Sequence, residues 1–188
     1  MDERICYFFS FLIEGLVFWN YVSILFVPKY STKIRFVCLS SGFFILFLSS
    51  LHNVFLLNCI LYTTVCFLYL IFLYKTSWYY ALFHSLLFEV LTGACELPVY
   101  SFLSTFLTSA SLRAADFHLK LLFAVMSKTL FFAVMSVLLL WLKKRQKPFL
   151  QYDKSVFFTI LIPFIAQIIV LILIAVCDST AMTAAQNR

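Results

Sequence analysis

The sequence predicts an all-α fold, a polytopic transmembrane bundle of about six helices that forms a single domain over residues 1–188. Hydrophobic side chains make up 64% of the 188 residues and charged side chains only 12%, whereas soluble domains carry about 25% charged residues. Too little polar side chain is available to cover a water-facing surface. The long apolar stretches lack the alternation of a membrane barrel, and helices satisfy their backbone hydrogen bonds inside lipid.

Apolar windows of about 20 residues define the spans, because that length crosses the hydrocarbon core of a bilayer. The predicted spans lie near Ile5–Val27, Ile34–Leu51, Val54–Tyr74, Trp78–Phe102, Leu121–Leu142 and Val156–Cys177. His52 and Asn53 are the only polar break between the second and third spans, which predicts a tight helical hairpin. Pro98 predicts a kink in the fourth span or the start of an interfacial segment, because proline lacks the backbone N–H.

Basic residues lie mainly on alternate connections. The connections at 28–35, 75–77 and 143–155 hold nine of the 14 lysines and arginines, and the opposite side holds four. The positive-inside rule therefore places these three connections in the cytoplasm and both chain ends outside. We expect a multi-pass protein of the cell membrane. The basic run at 143–147 follows an apolar span, which favours a topology determinant with lipid contact over a nucleic-acid patch.

Four ionisable residues fall inside predicted spans and are the candidate functional residues: Glu14, Glu89, Glu96 and Lys128. An ionisable group in lipid costs several kcal/mol unless it finds a partner, and such groups often mark function. Glu89 and Glu96 are seven residues apart, about two helical turns, so they share one face of the fourth helix and should point inward.

Glu96 and Lys128 lie at matching depths in the fourth and fifth spans, which predicts an ion pair between these helices. The pair either staples the two helices or contacts a ligand and acts in switching. Glu89 has no obvious basic partner, so it is protonated, hydrogen-bonded or part of a polar pocket. Glu14, with Asn20 about two turns further on, is expected to form interhelical hydrogen bonds.

The sequence contains no recognisable pattern for catalysis, for a cofactor or for a metal. The three histidines lie far apart and form no His-x-x-x-His motif, and there is no glycine-rich phosphate loop or nucleophile elbow. The six cysteines fall in or beside apolar runs without Cys-x-x-Cys spacing, which is typical of buried small hydrophobic residues. We therefore predict no catalytic residue, no cofactor and no metal site.

Several short motifs carry a family resemblance in their order and spacing. They are Ser77-Trp78 at the start of the fourth span, Cys95-Glu96-Leu97-Pro98-Val99, Ser127-Lys128, and Ile162-Pro163-Phe164-Ile165-Ala166 after the basic loop. Over about residues 35–177 the chain resembles the membrane sensor region of Firmicutes histidine kinases of the GHKL ATPase type, the peptide-pheromone receptor group.

The resemblance implies a sensor in two-component, quorum-sensing signalling. Such a domain detects an extracellular signal, typically a small secreted peptide, and passes a conformational change to a cytoplasmic kinase or a homodimer partner. The sequence contains no phosphoacceptor histidine box and no ATP-binding domain. We therefore expect a truncated or stand-alone sensor domain that binds or transmits; a full-length relative would be a histidine kinase.

Other classes remain open. The substrate-binding membrane component of a small-molecule importer has a similar length. Such a component needs helix faces rich in small residues to pack against its partner subunit, and the presence of only three glycines in the sequence argues against this class. A membrane peptidase would need a His and Cys pair, but His84 and Cys95 lie about 16 Å apart along one helix. A structural protein without a ligand is the third alternative.

Overall fold

The computed structural model describes residues 2–52, 55–106 and 117–144, together with the single positions 162, 165, 166 and 169. Within these residues five helices are present: α1 (Asp2–Leu25), α2 (Thr32–Ser50), α3 (Phe55–Leu73), α4 (Trp78–Phe106) and α5 (Phe117–Lys144). All five are long and apolar enough to cross a membrane. The predicted all-α bundle is confirmed. The predicted sixth span, near 156–177, lies outside the described residues apart from the four single positions.

The five helices form a closed ring. Each helix packs against the next one along the chain, and α5 packs against α1. The contacts of Glu96 with Lys128 and of Phe88 with Phe131 show that α4 and α5 are antiparallel. Because consecutive helices alternate in direction, α1, α3 and α5 run the same way. A parallel pair, α1 and α5, therefore closes the ring.

Aromatic side chains fill the centre of the ring around Phe88 of α4, which is fully buried. Its ring centroid lies 4.9 Å from that of Phe18 in α1 and 5.2 Å from that of Phe131 in α5. It also stacks on Tyr62 of α3 at 6.2 Å. Each such pair contributes about 0.5–1.5 kcal/mol beyond its buried area. One aromatic residue thus holds four helices together.

The outer surface of the ring is apolar. Large hydrophobic side chains are exposed along it, among them Val37 at 62%, Phe72 at 63% and Val137 at 67%. In water, a continuous apolar surface of this kind drives aggregation, whereas lipid solvates it without cost. The exposed side chains agree with the composition in describing a membrane-embedded bundle.

Two connections meet at one end of the bundle, which we call the basic end, formed by residues 26–31 and 74–77. Pro28 and Tyr74 form an isolated β-bridge. The backbone N–H of Lys29 donates to the Leu73 carbonyl at 2.9 Å, and that of Lys75 donates to the Val27 carbonyl at 2.8 Å. Backbone hydrogen bonds therefore join the α1–α2 connection to the α3–α4 connection.

Arg35, near the start of α2, is buried at the basic end and braces three helices. Its Nη1 donates to the Tyr74 hydroxyl at 2.9 Å and its Nη2 donates to the Thr32 hydroxyl at 3.2 Å. The guanidinium carbon lies 5.1 Å from the Trp19 ring centroid and 5.4 Å from that of Tyr74. Cation–π contacts of a desolvated arginine are worth about 2 kcal/mol; among the residues that the structure describes, aromatic rings and hydroxyls, and no carboxylate, contact this charge.

Helix ends differ from the predicted ones around the fourth and fifth spans. α4 continues through Pro98 to Phe106, so the helix does not end at the proline. Proline removes one backbone donor, and the remaining hydrogen bonds of a long apolar helix maintain it. α5 begins at Phe117, four residues before the predicted start of the fifth span at Leu121. The α2–α3 hairpin turns at Leu51 and His52, as predicted.

Candidate functional site

Lys128 of α5 lies between two carboxylates that belong to different helices. Its ammonium donates to Glu96 of α4 at 2.6 Å and also to Glu14 of α1. The predicted Glu96–Lys128 ion pair is confirmed. An interhelical hydrogen bond of Glu14 was predicted, but Lys128 was not predicted as its partner, and this contact turns a link between two helices into a link among three. We call Glu14, Glu96 and Lys128 the charge cluster.

The two carboxylates differ in exposure. The side chain of Glu14 is 6% exposed and that of Lys128 is 5% exposed, whereas that of Glu96 is 42% exposed. Counted from the end opposite the basic end, Glu96, Lys128 and Glu14 lie about 4.5, 10 and 15 Å along their own apolar windows. Because the Lys128 ammonium hydrogen-bonds to both carboxylates, the three charged groups themselves lie together, and they differ in exposure rather than in depth.

The charge cluster is not balanced when all three groups are ionised, since two carboxylates face one ammonium. Among the residues that the structure describes, Lys128 is the only cation in contact with either carboxylate. An uncompensated charge in a medium of low dielectric constant is costly. The arrangement therefore favours a further positive charge at this place.

Tyr62 of α3 borders the charge cluster. Its side chain is buried, and its hydroxyl lies beside Glu14 and Thr92. Within the described part of the chain, that hydroxyl makes no hydrogen bond of ordinary geometry. A buried polar group without a partner costs about 1–3 kcal/mol. Four helices, α1, α3, α4 and α5, thus bring polar side chains to one place.

Glu89 lies on α4 with Glu96 but contacts another helix. The hydroxyl of Thr63 in α3 donates to Glu89 Oε2, which agrees with the hydrogen-bonded alternative among our predictions. The two glutamates are seven residues apart, yet their partners lie on α3 and α5. Glu89 is therefore a separate polar contact between α3 and α4, two turns from the charge cluster.

A groove of about 230 Å³ lies between α1 and α5, below the charge cluster. It is lined by Ile13, Leu16, Val17, Asn20, Phe132, Met135, Ser136 and Leu139. Ligand sites usually enclose about 300–1,000 Å³ and carry converging polar groups. The groove is smaller and its lining has no ionisable side chain, so the charge cluster is the better candidate site. Asn20 lies here, exposed, away from Glu14.

His84 of α4 packs against α1 and the connection that follows it. Its Nδ1 forms a hydrogen bond of 2.5 Å with the Tyr21 hydroxyl, and its ring meets the edge of Phe26 at 5.0 Å. In the described ranges no group of three His, Cys, Asp or Glu side chains is placed to hold a metal ion. His84 therefore links α4 to α1 through a hydrogen bond and ring contacts.

Cysteine burial follows the prediction only in part. Cys6, Cys66 and Cys95 are buried free thiols. Cys38 is exposed on α2, and Cys59 is half-buried on α3, beside Glu89 of α4. Membership of an apolar run does not fix the direction of a side chain when lipid surrounds the helix. Cys177 lies outside the described residues.

Comparison with protein-family models, with curated proteins and with solved structures found no match to this chain. The resemblance to histidine-kinase sensor regions therefore rests on the motifs quoted above.

Proposed function

We propose that this protein is a sensor module of the cell membrane that detects an extracellular peptide and passes a conformational change to a cytoplasmic partner. The observation that carries the proposal is the sharing of one buried ammonium, that of Lys128, between carboxylates on α1 and α4. When the contact of Lys128 with Glu96 lengthens, the contact with Glu14 still holds the lysine, and the reverse is also true. The bundle then has two arrangements of similar free energy, one for each tighter contact, and a signalling element needs such a pair of states.

Glu96 is the member of the charge cluster suited to respond to a ligand. Its side chain is 42% exposed, while Glu14 and Lys128 are enclosed. It also belongs to the motif at 95–99 on which the family resemblance depends. A ligand that contacts Glu96 changes how Lys128 divides its hydrogen bonds, and it biases the two states by its difference in affinity for them.

The partner would act at the basic end. In the predicted orientation this end faces the cytoplasm, and its two connections are joined by backbone hydrogen bonds. A movement of α1 against α4 at the charge cluster reaches these connections through the helices themselves. A cytoplasmic kinase or a second copy of the chain would receive it there.

A binding assay with the full chain in lipid nanodiscs tests the proposal. The probe is the small-peptide fraction of spent medium from the source organism, and the readout is tryptophan fluorescence, to which Trp19 beside Arg35 contributes. We expect a saturable change that Glu96→Gln abolishes and that Glu89→Gln, a matched change on the same helix, retains.

An unchanged signal in the native protein contradicts the proposal, as does an equal response in both variants. Binding of a vitamin without any response to the peptide fraction would favour the importer component instead.

A further inference from the structure

The charge cluster has an excess of one negative charge, and the structure offers no described side chain that compensates it. Glu14 and Glu96 are both in contact with Lys128, and no other described cation touches either carboxylate. We infer that the charge cluster is a binding site for one small monovalent cation, a proton or a sodium ion. The cation neutralises the second carboxylate and makes the cluster electrically neutral inside the membrane.

The atoms available at the site are oxygens, which are the ligands that hard cations prefer. Lys128 donates to Oε1 of Glu14 and to Oε1 of Glu96. Each carboxylate also has an Oε2 atom. The Tyr62 hydroxyl, buried beside Glu14 and without a hydrogen-bond partner in the described chain, adds a third oxygen. A sodium ion would take this hydroxyl as a ligand, and a protonated Glu14 would hydrogen-bond to it.

The exposures provide a route for exchange. A cation that arrives from the aqueous phase at the end opposite the basic end meets Glu96 first, because this side chain is 42% exposed. Glu14, 6% exposed, is the enclosed carboxylate, held by the same ammonium. Lys128 bridges the two carboxylates, so a cation held at either one alters the contacts of both.

Titratable groups face the charge cluster from each of its helices. They are Glu14 on α1, Cys59, Tyr62 and Cys66 on α3, Cys95 and Glu96 on α4, and Lys128 on α5. Thiols and phenols are ordinarily neutral at pH 7, so they add no charge to the count. The carboxylates are the groups that can take up the proton. This inference rests on the charge balance of the cluster and on the buried Tyr62 hydroxyl beside it, and it does not depend on a peptide signal.

Thermal unfolding of the full chain in nanodiscs tests the inference, with the sodium ion and the proton as probes. Sodium chloride replaces choline chloride at constant ionic strength, at neutral and at mildly acidic pH. If sodium binds, the melting temperature at neutral pH rises by a few degrees with sodium. If a proton binds, sodium has no effect and acidification raises the melting temperature.

Glu96→Gln leaves one carboxylate for one lysine and should lose whichever dependence the native protein shows. Glu89→Gln is the control and should retain it. The inference is overturned if the native protein responds to neither cation, or if Glu96→Gln responds as the native protein does. Infrared spectroscopy gives a second measurement. A carboxylic-acid carbonyl band that grows on acidification, is lost in Glu96→Gln and is retained in Glu89→Gln supports the proton, whereas a carboxylate band that shifts with sodium in the native protein and not in Glu96→Gln supports the sodium ion.

Discussion

Lys128 shows how a single side chain can set the relation between three helices. Its burial at 5% exposure would be prohibitive without the two carboxylates that receive its hydrogen bonds. Removing one member of a buried ion pair costs more than replacing the pair with apolar groups, because the remaining charge is left without compensation. The value of the cluster to stability is therefore best measured by comparing single and combined substitutions.

Lys128→Met should destabilise the bundle by about 3–5 kcal/mol, because Glu14 keeps a buried charge without its partner. Adding Glu14→Gln to this variant should recover most of the loss, since the uncompensated charge is then gone. Thermal unfolding in detergent measures both effects, with Thr129→Ala, an exposed neighbour, as the control. Equal melting temperatures for the single and double variants would show that Glu14 and Lys128 do not interact.

The hydrogen bond between Tyr21 and His84 gives a second prediction for single residues. Tyr21→Phe keeps the ring but removes the hydroxyl that meets His84 Nδ1 at 2.5 Å. Hydrogen bonds between membrane helices contribute about 0.6–1.7 kcal/mol, so the melting temperature should fall by a few degrees. Tyr7→Phe, which changes an exposed tyrosine of the same helix, should leave it unchanged. A fall of the same size in both variants would argue against the contact.

Depth along a helix can be read from the sequence, but direction around it cannot be read here. Matching depths were enough to predict the pairing of Glu96 with Lys128. Lys128 was not predicted as the partner of Glu14, because α1 is apolar on all sides and its inward face cannot be told from its lipid-facing one. The sequence likewise did not show that Arg35 faces inward, so it was counted only among the basic residues that set the topology. The depth of Glu14, in the same half of the membrane as Lys128, was the one signal that could have found it.

At the scale of elements, two glycines mark where α2 approaches its neighbours. A Cβ atom on Gly15 of α1 would lie 3.3 Å from the Phe43 ring, a contact that a small shift relieves. A Cβ atom on Gly42 of α2 would lie 2.8 Å from Val65 Cγ1 of α3. Valine has a stiff side chain, so α2 and α3 can pack this closely only because residue 42 is glycine.

Gly42→Ala should therefore lower stability. Overpacking costs about 1–3 kcal/mol, and the better helix propensity of alanine returns about 1 kcal/mol. Combining it with Val65→Ala should relieve the clash, so that the double variant melts above the sum of the two single effects. Additive effects in this double-mutant cycle would show that the two positions do not meet.

The number and order of the described helices follow from apolar length, which is why five of the predicted spans appear in the structure. Their ends are less well predicted, because an apolar run gives no capping signal where it continues into the interface. The end of α4 shows this: the sequence stays apolar beyond Phe102, and the helix continues to Phe106.

At the scale of the whole molecule, the ring of helices fixes which connections lie at the same end. The positive-inside rule adds the side of the membrane, and labelling tests it. In a cysteine-free background, His52→Cys should react with a membrane-impermeant maleimide in intact cells, while Lys75→Cys should react only after permeabilisation. Both positions are exposed, so access depends on the membrane alone. The reverse pattern would invert the orientation and place the charge cluster near the cytoplasm.

The joined connections at the basic end determine how the ring can deform. Backbone hydrogen bonds hold Lys29 to Leu73 and Lys75 to Val27, so α1 and α2 cannot slide past α3 and α4 there. The helices can still tilt about the basic end, which then acts as a hinge, and their opposite ends move furthest. A given change in tilt angle therefore displaces Glu96 more than Tyr74, so the partly exposed Glu96 carboxylate lies where the displacement is large.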